Sequence, residues 1–184
     1  MNDLFVGHRE YTSSMPRQKA PQGWEARPAI SVDTSEPVET AYDFSSYGAK
    51  QSRQNLYTAD YSILGYHELC VVERKTLSDA YGSIASGRER FEDTCRRMGE
   101  IMAKPNGYAA IVIEANFDEF VKGPDHSMMN RRSAVNTYLA WSVKYKIPVF
   151  FAADRRMGIG VTEALLRHWY DYKIKPGLEA SDIL

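Results

Sequence analysis

Asp60-Tyr61-Ser62-Ile63, a polar turn through Gly65, and then Leu69-Cys70-Val71-Val72-Glu73-Arg74-Lys75 is the stretch that decides how this chain folds. An apolar run that ends in charge reads as a buried strand emerging at a surface, and the turn before it makes the two halves a hairpin. Residues two apart on a strand share a face, so Glu73 and Lys75 point together while Val72 and Arg74 point away. Hairpin pairing brings Asp60 beside the first pair. Carboxylate oxygens in such a group suit a hard divalent cation, which polarises a phosphoryl oxygen and lowers the pKa of a bound water. Lys75 would stand next to that water, an arrangement fitted to opening a phosphodiester.

Working outward, residues 29–32 form a short strand that delivers Asp33 at its end. The segment 40–54, with Tyr42, Phe44 and Tyr47, has no decisive pattern. After the hairpin, Ser78 or Asp79 is expected to cap a helix that Gly87 interrupts. From Arg88 to Lys104, Phe91, Cys95, Met98 and Met102 recur at helical spacing, with Arg90, Glu92, Asp93, Arg96, Arg97 and Glu100 on the opposite face. Residues 108–115 are a continuous apolar run rich in β-branched side chains, a buried central strand. The segment 116–132 is expected to be partly loop. Residues 133–146 read as a helix, 148–153 as another buried strand and 161–172 as a closing amphipathic helix. Strands alternating with helices over this length predict an α/β domain with a mixed central sheet flanked by helices.

The order of motifs resembles one family. Asp on one strand and Glu-x-Lys on the next is similar to the PD-(D/E)XK nuclease superfamily, and Glu73-Arg74-Lys75-Thr76-Leu77-Ser78-Asp79 reproduces the Glu-Arg-Lys-x-x-x-Asp signature of XPF-type structure-specific nucleases. Ile30-Ser31-Val32-Asp33-Thr34-Ser35-Glu36 resembles that family's Val-Asp-x-Arg-Glu strand end, and Ala59-Asp60-Tyr61 its Gly-Asp-Tyr. The likeness continues through Gly82-Ser83-Ile84, Gly87-Arg88, Phe91, Arg97-Met98 and Ala110 to Glu114, reaching Tyr145-Lys146-Ile147-Pro148-Val149-Phe150. Two departures stand out. Ser35 replaces the family's arginine before Glu36, removing a cation from the site, and Ala59 replaces the glycine before Asp60.

The resemblance implies a restriction-endonuclease-like fold and a metal-dependent DNA endonuclease, using Mg2+ or Mn2+ on branched or flapped DNA in repair or recombination. It implies metal ligation by Asp60, Glu73 and Asp33, with Glu36 at the same cation directly or through a neighbour, and Lys75 at the water or the scissile phosphate. Arg74 and Asp79 would support the site. Gly87-Arg88, at a helix start, would hold a phosphate of the DNA, and Arg131 with Arg132 forms a second candidate contact. A homodimer, or a heteromer with a DNA-binding partner, is implied as well, in a short form without the helix-hairpin-helix module that relatives append. Two other readings stay open: a nuclease-like binding subunit that cuts little, and a structural or inhibitory protein using the same fold.

Bulk properties agree with a single globular domain. The chain has 184 residues, is 43% hydrophobic and 26% charged, and carries a net charge of -1, enough to bury one sizeable core. The near-neutral balance argues against a strongly basic nucleic-acid coat, while leaving room for a local basic patch beside acidic ligands. Cys70 and Cys95 have no zinc-ligand spacing and read as buried thiols in a reducing compartment. No secretory leader or membrane-spanning stretch is legible, so an intracellular protein is expected, in cytoplasm or nucleoid, or in host cytoplasm if viral.

Three parts are expected: a flexible arm over residues 1–28, the nuclease domain over 29–175 and a tail over 176–184. The arm's Arg9, Arg17, Lys19 and Arg27 are candidate backbone contacts, with Tyr11 and Trp24 for stacking. His67 reads as an exposed hairpin-tip residue, and His126 and His168 lack partners for a triad or a metal. Glu114 ends its strand either beside the site or in solvent. Gly158-Ile159-Gly160-Val161-Thr162-Glu163-Ala164 resembles half of a helix-hairpin-helix element, but the strand-like run before it favours a plain helix start.

Overall fold

The computed structural model describes residues 27–125 and 127–176. The arm's Arg9, Tyr11, Arg17, Lys19 and Trp24, together with His126 and residues 177–184, lie outside the described residues. A six-stranded mixed sheet runs through the described chain in the order β2-β1-β3-β4-β5-β6. Its strands are β1 (Ile30–Asp33), β2 (Gln51–Gln54), β3 (Tyr61–Ile63), β4 (Cys70–Thr76), β5 (Tyr108–Glu114) and β6 (Val149–Phe151). The hairpin is present: β3 pairs antiparallel with β4, placing Tyr61 opposite Val72. β4, β5 and β6 run parallel to one another, the arrangement that requires helical crossovers.

Both faces of the sheet are covered, which explains the unbroken apolar runs in β4 and β5. Val71, Ile111 and Ile113 face a core built with Ala80, Phe91, Met98, Phe120 and Trp141. Val72 and Val112 face the other core, against Tyr42, Phe44, Leu166 and Trp169. The helices supplying these layers are α1 (Leu77–Ile84), α2 (Arg88–Met102), α3 (Phe117–Lys122), α4 (Arg131–Tyr145) and α5 (Arg155–Trp169). Among the described residues no helix is long and apolar enough to cross a membrane.

Several boundaries differ from the sequence reading, each for a local reason. Thr76, not Ser78 or Asp79, caps α1: its hydroxyl accepts from the Asp79 amide, because β4 runs one residue further than its apolar part. Within 116–132 a short helix forms, closed by a reciprocal capping box between Asn116 and Glu119. α4 begins at Arg131 under an Asn130 cap. α5 begins at Arg155 under an Asp154 cap, so residues 158–164 lie inside a helix whose predecessor is a strand, and no helix-hairpin-helix forms there. Its first turn packs closely: a Cβ on Gly158 would stand 2.3 Å from the Tyr42 hydroxyl. In the ambiguous segment a single 3-10 turn, Ser45–Tyr47, precedes edge strand β2. Arg27, near the end of the expected arm, bonds to Glu163 at 3.0 Å.

Candidate active site

β4 presents its charged end to both faces of the sheet. On the front, Glu73 and Lys75 project together, as a strand's alternation requires. Their side chains meet at 2.6 Å, and the Lys75 ammonium lies 4.4 Å from the centre of the Phe91 ring, supplied by α2. Asp60 enters from the residue just before β3. Its Oδ2 accepts the Arg74 backbone N–H at 2.7 Å, while its own N–H reaches the Val72 carbonyl at 3.2 Å. The carboxylate is thereby tied to the strand that carries Glu73 and Lys75.

Ala59 is what turns the chain into this position. Its φ is 66°, in the left-handed region that disfavours a Cβ. A glycine at this position would meet that demand without strain.

On the back of β4, Arg74 is clamped. Its Nε and Nη2 bond the two oxygens of Glu114 at 2.8 and 3.3 Å, and its Nη1 reaches Glu36 at 3.5 Å. The guanidinium carbon lies 5.2 Å from the centre of the Tyr42 ring, as does that of Arg155. Glu114 therefore neither flanks the front site nor meets solvent: it anchors Arg74 and stands 3.8 Å from Arg155. Sequence reasoning missed this role, since nothing in a strand-end glutamate names an arginine forty residues away.

Burial and neighbouring charge act differently on the two faces. Burial first, and then the Glu73 carboxylate, push Asp60 well above the ordinary carboxyl range, while the Arg74 amide pulls the other way. For Lys75 burial acts to lower the pKa, but the adjacent Glu73 outweighs it, and the net shift is upward. Lys75 is a firm cation. Glu36 is also raised, by burial, with Arg74 opposing. Arg74 rises despite its burial because Glu114 grips it.

The expected ligand set is only partly assembled. Asp33 is buried beside the site, yet its Oδ1 accepts from the Ser35 amide at 2.8 Å and from the Ser35 hydroxyl, and its Oδ2 from the Leu56 amide at 2.6 Å. It shapes the loops around the site. Ser35 is thus a partner of Asp33. No group of three or more His, Cys, Asp or Glu side chains placed to share a metal ion occurs among the described residues. Asp79 lines the site cavity and bonds the Thr76 hydroxyl at 2.7 Å.

Three contiguous cavities form a trough. One of about 170 Å3 is lined by Ser35, Glu36, Asp60, Glu73, Arg74, Lys75 and Asp79, so that the clamped Arg74 and its partner Glu36 also border it. The next, about 360 Å3, shares Asp60, Glu73 and Lys75 and adds Asp33, Tyr57, Arg90 and Arg97. The third, about 330 Å3, shares Tyr57 and Arg97 and extends to His67 and Lys104. Arg88, expected at a phosphate, is exposed and lies 5.8 Å from the Trp141 ring instead, and neither it nor the exposed Arg131 and Arg132 lines these cavities. Arg90 and Arg97, which the helical pattern assigns to the solvated face of α2, do line them. Their seven-residue spacing is the one signal of this that the sequence offers.

A family model of the ERCC4 domain matches residues 32–165, from the end of β1 into α5. The chain belongs to the ERCC4 domain family. Among solved structures, the chain is similar to XPF from Aeropyrum pernix, with a TM-score of 0.60 and 24% identity, covering 77% of this chain and 61% of that one. The same archaeal protein in complex with DNA matches with a TM-score of 0.58 and 23% identity over 79% of this chain and 66% of that one. These likenesses establish the shared restriction-endonuclease-like α/β fold. Among curated proteins, none matches.

Proposed function

We propose that this ERCC4-family chain is a metal-dependent endonuclease that hydrolyses phosphodiester bonds of branched or flapped DNA in repair or recombination. One observation carries the reading: Asp60, Glu73 and Lys75 gather in an open trough with more carboxylate than ammonium charge. The donor set fits a hard ion. Asp60 Oδ1 and Glu73 Oε2 have no hydrogen-bond partner among the described residues, while Asp60 Oδ2 and Glu73 Oε1 are held by Arg74 and Lys75. Mg2+ is commonly bound by one or two carboxylates together with waters and substrate phosphate, and Mn2+ accepts the same oxygens. When bound, the ion would supply a polarised phosphoryl oxygen and an acidified water.

The chain's own residues divide the remaining work. Asp60 and Glu73 hold the ion, and Asp33 and Glu36 are assigned to shaping the loop and fixing Arg74. Lys75, kept protonated by Glu73, stabilises negative charge developing on the phosphoryl group, which suits it better than accepting a proton. Arg74 acts through its backbone, whose N–H fixes Asp60, with Asp79 supporting from the start of α1. Arg88, Arg131 and Arg132 remain as contacts for DNA beyond the trough. Leu139 and Val143, 58% and 81% exposed one turn apart on α4, support association with a second copy or a DNA-binding partner. Such substrates imply an intracellular setting.

Labelled flap, fork, junction and single-stranded DNAs incubated with Mg2+ or Mn2+ test the reading. Branched substrates should be cut, and Asp60→Ala should abolish cutting while binding persists. Absence of cutting on every substrate in both ions rejects the enzyme and leaves a nuclease-like binding subunit.

A further inference from the structure

The trough does not end at the site. α2 carries Arg90 and Arg97 on the side that walls it, and Lys104 follows just past the helix end. Seven residues are close to two helical turns, so these cations are spaced at intervals of about 10 Å along one line. Arg90 makes no ion pair among the described residues and is exposed. Arg97 bonds Asp93 and Thr94, yet its Nε is buried without a hydrogen-bond partner. The Thr58 hydroxyl, in a residue only 5% exposed that lines the same cavity, is likewise unpartnered.

Across from α2 stands Tyr57, 65% exposed, with the Arg97 guanidinium 5.7 Å from its ring centre. A large aromatic ring left in water beside cations is the combination that takes a stacked base and its phosphates. Bases inside a duplex have no free face to offer such a ring. Acidic groups also touch the outer cavity: Glu100 is paired with Arg96, and Glu68 gives its carbonyl to the Lys104 ammonium at 3.0 Å. The net cationic line is therefore short, running from Lys75 past Arg90 and Arg97 to Lys104.

We propose that this line is a track for one unpaired DNA strand leaving the scissile position, about four nucleotides long, with Tyr57 stacking a base and Arg90, Arg97 and Lys104 meeting phosphates. The proposal deepens the function given above and rests on it for where the strand begins. It makes a single-stranded extension, not the paired region alone, the feature the site selects.

Binding is measured in EDTA, so that no substrate is cut, using labelled blunt duplex and the same duplex with four- and twelve-nucleotide 5′ or 3′ extensions. The full chain is expected to bind one polarity of extension about tenfold more tightly than blunt duplex, with most of the gain present at four nucleotides. Arg90→Gln with Lys104→Gln should remove that gain and lower the slope of log affinity against log salt by about 1.4 on the extended DNA. Tyr57→Ala should remove at least fivefold, since stacking on one ring contributes about 1–3 kcal/mol. Circular dichroism and thermal melting confirm that these exposed substitutions leave the fold intact. Equal binding of blunt and extended DNA by the parent chain, or equal losses on both in the variants, overturns the track. If the extension preference holds but no DNA is cut when Mg2+ is restored, the nuclease reading fails while the track stands. If DNA is cut with no extension preference, the track fails while the nuclease reading stands.

Discussion

The two faces of β4 hold charge in opposite ways. Behind the strand, Arg74 is matched by Glu114 through two hydrogen bonds, joined by Glu36, and covered by the Tyr42 ring. In front, Asp60 and Glu73 share Lys75 as their nearest cation, and Asp60 is driven up in pKa by burial and by Glu73. One strand of seven residues thus carries a satisfied network and an unsatisfied one, a single residue apart. The back stabilises the fold. The front keeps surplus negative charge that a cation can neutralise, and so costs stability until one arrives.

Substitutions should separate the faces. The largest expected effect is Lys75→Ala, which should lower turnover per folded molecule on a cleavable DNA by about a hundredfold or more with substrate affinity nearly unchanged. A parallel fall in affinity would make Lys75 a binding group. Next comes the back face: Glu114→Ala leaves Arg74, only 10% exposed, with a long contact to Glu36 alone. Removing one partner of a buried pair costs about 3 kcal/mol, visible as a shifted urea midpoint, while the residual folded protein still cuts. If Glu114→Ala instead abolished cutting at full stability, the division between faces would fail.

A smaller effect reverses the usual sign. In metal-free protein Asp60→Asn should stabilise at pH 7 by about 1 kcal/mol, measured by denaturant titration, while eliminating cutting. The folded state holds the Asp60 proton to higher pH than the unfolded chain does. Its contribution is therefore fully present below the unfolded carboxyl pKa and is lost as pH rises through the raised folded value. The advantage of Asn should accordingly shrink as pH is lowered towards about 4, and a constant advantage would mean that ionisation is not its source. Smallest is Ala59→Gly, which relieves a left-handed alanine but frees the unfolded chain, and should raise stability by less than about 1 kcal/mol.

The front face is legible in the sequence and the back is hidden. Alternation along β4 places Glu73 with Lys75, and the hairpin brings Asp60 to them, because both follow from local periodicity and a short turn. Asp33 is legible in place but not in role: its partners are the Ser35 and Leu56 amides, and backbone donors leave no mark in composition. Arg74 meeting Glu114 depends on β5 lying parallel beside β4, with Thr76 opposite Glu114, a long-range register that periodicity does not state. Helix starts depart from the apolar pattern where a polar side chain closes the first turn earlier or later than that pattern begins, as Thr76, Asn130 and Asp154 do. Arg90 and Arg97 stay hidden because a cation facing a groove and one facing bulk water look alike in one dimension.

The backward-turning residue ahead of Asp60 bears on kinship. Spelled in letters, Ala59 breaks the Gly-Asp-Tyr rule and would exclude this chain from any strict textual pattern. Spelled in dihedral angles, with φ at 66°, it holds the left-handed corner that a glycine would occupy without strain. Kin of this protein that carry asparagine or aspartate at the same corner, side chains that also tolerate that torsion, would be overlooked by spelling and recovered by shape.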